Sequence, residues 1–501
     1  MVYTATAKPK PAPAKWTVRT AKTNPSEVCR SGDKNSSCLV DLDPNMIPVK
    51  YTGTTTNAQW TSVADPEAAD SDWYNYGKKQ WANAITVKPE ALAKYKGYSE
   101  VVDQADILGF WVYIPRYAYE VMRRDGTDKP VKEQNFDIKF ENTKTPKKRP
   151  LACKTGNGKD YRTECNVSRE LLLAGGEVST WTTHPAFSFG KKELNGIWFG
   201  KFETTGTTSQ PTVLPNEAHI SGYYIGINGI GSFYSVAKSL GINDPQNVGG
   251  YSVSSPQNSH YLAKLSSHMV NSNDWGAATY LSASKYGVGY NGVQINGSWS
   301  GYNKDSDGEY MSVGTTGCGP WENGNTSSYG NNNNSWIDHK GISVGSLGTQ
   351  QACSADNLQR AYNGTLGQLA STTNNPTGIY DMSGGGYEYT TDAYTTNLNE
   401  SGISSNGDSF GAKSHPPYIN TYNFNAPDGC TFVTCGGQAL YETLGWNGQY
   451  ADKFDSIGVW LHRGGNAVIG SENGIFALFS NNGYTYDNDA FRVALAPAPH
   501  D

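Results

Sequence analysis

Few residues of this chain have the types and spacing for chemistry, and most of those fail on context. Gly341 to Gly345 reads G-x-S-x-G, the turn that exposes a serine nucleophile, here Ser343. That turn needs a strand before it and a helix after it, and neither SWIDHK nor SLGTQQ has the pattern. Gly287 to Gly292 satisfies G-x-G-x-x-G but follows a helical pattern and opens no helix able to hold a pyrophosphate. Asp305, Asp307 and Glu309 place hard oxygen ligands around a Gly, part of a calcium loop without the closing Glu of a full EF-hand. A structural calcium ion is the one metal they suggest, with a solvated acidic turn as the alternative, and no cofactor is required. None of the eight histidines stands in H-E-x-x-H.

A different chemistry, recognition, fits the segment from Trp460 to Leu495. Its loops mix Asn466, Asn473, Asn481, Asn482 and Asn488 with residues chosen neither for packing nor for catalysis: Leu461, His462, Val468, Ile469, Glu472, Phe479, Ser480, Tyr484, Tyr486 and Asp487. Tyr and Phe give large rigid contact area at low entropy cost, and Ser, Asn and Asp give adaptable hydrogen bonds, which is the physics of a binding surface. In an extended loop Tyr484 and Tyr486 face the same side and would be its anchors. Arg463 and Arg492 flank the segment, and beside a buried face each is expected in a structural salt bridge.

These side chains need a frame. Gly474 to Phe479 (GIFALF) and Ala490 to Leu495 (AFRVAL) read as buried strands. Ile107 to Ile114 (ILGFWVYI) and Gly196 to Thr204 (GIWFGKFET) do likewise, and helical spacing marks Ser259 to Met269 and Asp274 to Ser284, the latter with Asn273 as N-cap. The run from Met46 to Val87 reads as a small antiparallel meander with Trp60, Trp73 and Trp81 as its core. The organisation expected is a Pro/Lys-rich stalk and disulfide loop over 1–45, a small β module and connector over 46–104, and a large loop-rich domain over 105–501. Arg123 to Arg162 is expected as a charged loop.

The bulk properties exclude several classes. A net charge of −6 without a Lys/Arg stripe argues against nucleic acid. No apolar run reaches spanning length, and Met1 to Ala14 lacks a signal-peptide core, so the expectation is no membrane insertion and an export signal or anchor removed upstream. The cysteines fall into local couples, Cys29 with Cys38, Cys153 with Cys165, Cys318 with Cys353 and Cys430 with Cys435, as disulfides of an extracellular, surface-displayed protein would. Eight cysteines nevertheless allow 105 pairings, and the oligomeric state stays open.

Three motifs occur in order: GIWFGKFETT at 196–205, GIYDMSGGGYEYTTD at 378–392, and RGGN followed by AFRVAL within 463–495. Together they resemble the formylglycine-generating-enzyme family, a branch of the C-type lectin fold. The resemblance implies an α+β, C-type-lectin-like domain. It aligns Gly384 to Tyr389 with the family's G-N-x-W-E-W motif, so that Glu388 matches its Glu while Gly385 stands in place of its Asn, which leaves Glu388 as a weak calcium ligand. Catalytic members bind copper through a cysteine pair between the G-G and F-R motifs, and Gly464 to Phe491 contains none. The chain is therefore expected not to be an enzyme, the competing reading being a metal-dependent oxidase.

The R-G-G-N, G-x-F-A-L, N-N-G and F-R-x-A-L pattern more closely resembles variable proteins diversified by retroelements. In those proteins Asn codons are randomised while framework residues stay fixed. The resemblance implies a framework of Trp460, Arg463, Gly464, Gly465, Phe476, Phe491 and Arg492. It implies variable contacts at Leu461, His462, Val468, Ile469, Glu472, Asn473, Phe479, Ser480, Tyr484, Tyr486 and Asp487, and a protein or glycan on another cell or virus as ligand. A fixed-specificity lectin or structural adhesin is the alternative among binding proteins.

Overall fold

The computed structural model describes residues 29–33, 36–123, 134–141, 182–189, 192–215, 217, 219–220, 229–242, 258–289, 315–318, 336–338, 362–364, 368, 371–394, 418–422, 430, 435–440, 442–443, 451–452, 454, 460–465, 474–485 and 489–497. Two sheets organise them. The larger is antiparallel and seven-stranded, in the order Leu265–Met269, Val493–Pro497, Gly196–Gly200, Ile107–Pro115, Asn83–Val87, Met46–Tyr51 and Trp60–Ser62. Its central strands are apolar on both faces, as strands covered on both sides must be: all five residues of Gly196–Gly200 are buried.

The second sheet is centred on Tyr387–Tyr394. Trp460–Gly464 pairs with it antiparallel and Gly474–Asn481 extends beyond, while Asn420–Tyr422 and Asp489–Phe491 each run parallel to it. A separate three-stranded sheet of Gln134–Phe140, Tyr117–Arg123 and Thr182–Thr183 packs on the same core, with Phe136 stacked on Tyr280 at 3.7 Å. The helices Ile230–Lys238 and Ser272–Ser282 complete a sheet-rich α+β fold. Among the described residues no helix is long and apolar enough to cross a membrane.

Several expectations change. The meander over 46–87 is not a separate module, because Asn83–Val87 pairs along Ile107–Pro115 and carries the sheet across the expected boundary at 104. Its tryptophans belong to the common core: Trp60 tilts against Phe110 at 5.6 Å, and the Trp81 indole donates to the Tyr286 carbonyl at 2.8 Å. Residues 265–269 form a strand where a helix was expected, since pairing from Leu265↔Pro497 to Met269↔Val493 outweighs a helical spacing. The following helix begins at Ser272, and its N-cap is Asn271 rather than Asn273. The Asn271 side chain accepts from the Asn273 and Asp274 N–H groups, and Asp274 returns the bond in a capping box. Within the expected charged loop, 134–140 is a strand.

AFRVAL is likewise not one strand. Asp489–Phe491 belongs to the second sheet and Val493–Pro497 to the first, with Arg492 at the crossing. Disulfides join Cys29 to Cys38 and Cys430 to Cys435. Cys153, Cys165 and Cys353 lie outside the described residues, and Cys318 ends the short strand Thr315–Cys318.

Candidate recognition face

The face is built on alternation along Tyr387–Tyr394. Glu388 points toward the large sheet, and Tyr387 and Tyr389 point the other way, as a strand's period of two requires. Tyr389 stands opposite His462 in the register. The His462 ring stacks on Tyr387 at 5.3 Å between centroids and meets Tyr389 edge-on at 3.8 Å, while Phe479 lies edge-on to Tyr387 at 5.1 Å. The Tyr389 hydroxyl is 2.5 Å from both Asn481 Oδ1 and the Tyr484 carbonyl. The turn is tied further by Gly483 N–H to Asn481 Oδ1 (3.2 Å), Tyr484 N–H to Asn482 Oδ1 (3.0 Å) and Ile230 N–H to the Gly483 carbonyl (2.8 Å). Ser480 Oγ donates to Asp452 Oδ2 at 2.7 Å.

Burial divides the expected contact residues into two groups. Gly474 to Leu478 are buried, whereas Phe479 to Asn482 are half-buried and Tyr484 is 51 % exposed. Phe479, Ser480 and Tyr484 therefore sit where a ligand could touch them. Leu461 and His462 do not. Leu461 is fully buried in a cluster with Tyr422, Phe454 and Leu478, and His462 is buried beneath Tyr387, so both are corrected from contact to frame. Burial pushes the His462 pKa down to about 3, so the ring is neutral. Val468, Ile469, Glu472, Asn473, Tyr486 and Asp487 lie outside the described residues, as do Asp305, Asp307, Glu309 and Ser343.

The frame residues Trp460, Arg463, Gly464, Gly465, Phe476, Phe491 and Arg492 are all buried. Arg492 forms the expected salt bridge, its Nε and Nη2 gripping both Glu388 oxygens at 2.9 and 2.5 Å. It also donates to the Gly200 and Tyr380 carbonyls, each at 2.9 Å, so a single guanidinium ties the two sheets together. With both oxygens engaged Glu388 is a salt-bridge residue, which corrects its assignment as a calcium ligand. No group of three His, Cys, Asp or Glu side chains arranged to hold a metal occurs among the described residues.

Arg463 departs from expectation, because no carboxylate among the described residues is hydrogen-bonded to it, although the Asp392 charge acts on it. Its Nη2 donates to the Ala439 carbonyl at 3.1 Å and its guanidinium lies over the Trp275 ring at 5.7 Å, while Nε and Nη1 have no hydrogen-bond partner. Burial pushes its pKa down to about 10, still well above neutrality. Gly464 and Gly465 follow in left-handed backbone, with φ of 79° and 74°. The Gly464 carbonyl accepts from Gly384 N–H at 3.2 Å, which seats this arch on the Ser383–Gly386 turn.

Sequence reasoning missed Tyr387 and Tyr389, although Y-E-Y in a strand carries the signal that both rings share a face. No local signal marks Asp452, or Phe233, which stacks on Phe491 at 4.7 Å from a helix more than 250 residues away in sequence. Compared with known proteins, the chain matches no protein-family model and no curated protein sequence.

Proposed function

We propose that this chain is an extracellular, surface-displayed binding protein of C-type-lectin-like type, whose C-terminal segment is diversified by a retroelement to meet varied protein or glycan ligands. The observation that carries the reading is the change along one strand and the turn after it, from five buried residues at 474–478 to the half-buried Phe479–Asn482 and the exposed Tyr484. A rigid frame ends in side chains that can change without disturbing it, which is what a diversified paratope needs. The thiol-based copper chemistry of the resembled oxidases would need cysteines between Gly464 and Phe491, where the sequence has none.

The test is to randomise Phe479, Ser480 and Tyr484 in the displayed protein and select against unrelated proteins and glycans. Most clones should fold, and binders to different targets should emerge. Widespread unfolding, an absence of binders, or stoichiometric copper with turnover of a thiol peptide by the natural chain would refute the reading.

A further inference from the structure

Beneath the Ser383–Gly386 turn, three carboxyl groups share one guanidinium and one imidazole. Arg492 commits its charge to Glu388 and its remaining bonds to the Gly200 and Tyr380 carbonyls. Glu203, from the loop after Gly196–Gly200, accepts the Gly386 N–H at 2.8 Å and lies 3.3 Å from His219 Nδ1. Asp381 is left over. It is 7 % exposed, its Oδ1 has no hydrogen-bond partner, and its backbone is left-handed at φ 61°. The charged and titratable groups acting on it are Glu203, Arg492, Glu388 and His219. Burying a lone ionised carboxylate is so costly that such a group takes up a proton instead.

We propose that Asp381 is a proton-binding site, held as a neutral carboxylic acid in the folded protein at weakly acidic pH, where a solvent-exposed carboxyl is already ionised. Burial, then the neighbouring Glu203 carboxylate, pushes the Asp381 pKa up to about 7, against the pull of Arg492. Burial pushes Glu388 upward too, but the guanidinium gripping both its oxygens keeps the charge there and leaves the proton to Asp381. The inference is independent of what the face binds.

A carboxyl whose pKa is raised on folding contributes stability that is complete below its unfolded pKa and lost as pH rises through the folded one. Urea unfolding of the wild type and Asp381→Asn, from pH 4.5 to 8.5, should show it. The wild-type folding constant should fall relative to the variant by about tenfold per pH unit up to about pH 7, then level off. The variant serves as reference because burial pushes His260 down to about 4 and His462 to about 3, which gives the wild type an opposing slope. Asn suits the left-handed backbone, and Asp381→Gly, which suits it as well, should behave alike.

A measurement free of variants decides if neither folds. Asp-Met occurs once in the sequence, at 381–382, so pairing 13C-aspartate with 15N-methionine identifies this residue by NMR. Its carboxyl carbon should keep the protonated shift at pH 6 and titrate near 7. Parallel unfolding profiles, or an Asp381 carboxyl ionised at pH 6, would overturn the proposal.

Discussion

At the scale of single residues, burial separates frame from contact more sharply than residue type does. Leu461 and Tyr484 both stand in the segment expected to vary, yet one is fully buried and the other about half exposed. Leu461→Ala should therefore cost about 2–5 kcal/mol in urea unfolding, and Tyr484→Ala less than about 0.5 kcal/mol. Glu388→Gln breaks the buried two-point pair with Arg492, and should cost about 3–5 kcal/mol by the same measurement. The sequence made the Arg492 salt bridge legible, because an Arg alternating with Phe, Val and Leu must turn to the other face. It did not reveal that Arg463 rests instead on Trp275 and the Ala439 carbonyl, with no salt bridge among the described residues, since these partners are remote in the chain and close only in the fold.

At the scale of elements, the apolar strands were legible where they run five residues or more without interruption. Ile107–Pro115, Gly196–Gly200 and Gly474–Asn481 all appear near their expected positions. Residues 265–269 were misread because LSSHM has no strong pattern of its own and owes its conformation to the terminal strand beside it. The N-cap at Asn271 was read two residues late, at Asn273, for a similar reason, as the two are equivalent by composition and the ends of helices are set by geometry. Asn271→Ala should lower stability by about 1 kcal/mol, seen as a fall in melting temperature. Gly385→Ala should do more damage: its φ is 70°, and a Cβ there would stand 2.2 Å from Glu203 Oε1.

At the scale of the whole molecule, the sequence suggested a modular chain, and the large sheet contradicts the boundary expected at 104. Strands from 46–51, 83–87, 107–115, 196–200 and 493–497 lie side by side, so residues from both ends of the chain fix one another. A truncation beginning at 105 would expose the edge of Ile107–Pro115 and remove Trp60 and Trp81 from the core, and should yield no cooperatively folded protein by calorimetry. Composition could not reveal this, because a meander that stands alone and one that completes a larger sheet have the same local pattern.

If a fixed frame carries a deliberately changeable surface, as proposed, the encoding locus in sister isolates should show it on sequencing. Substitutions are expected at Phe479, Ser480, Tyr484 and the loop positions, with Arg463, Gly464, Phe476, Phe491 and Arg492 unchanged. Changes at Leu461 should stay apolar, and a near-copy of the last stretch should lie beside a reverse transcriptase. Identical C-terminal segments with no template copy nearby would contradict it.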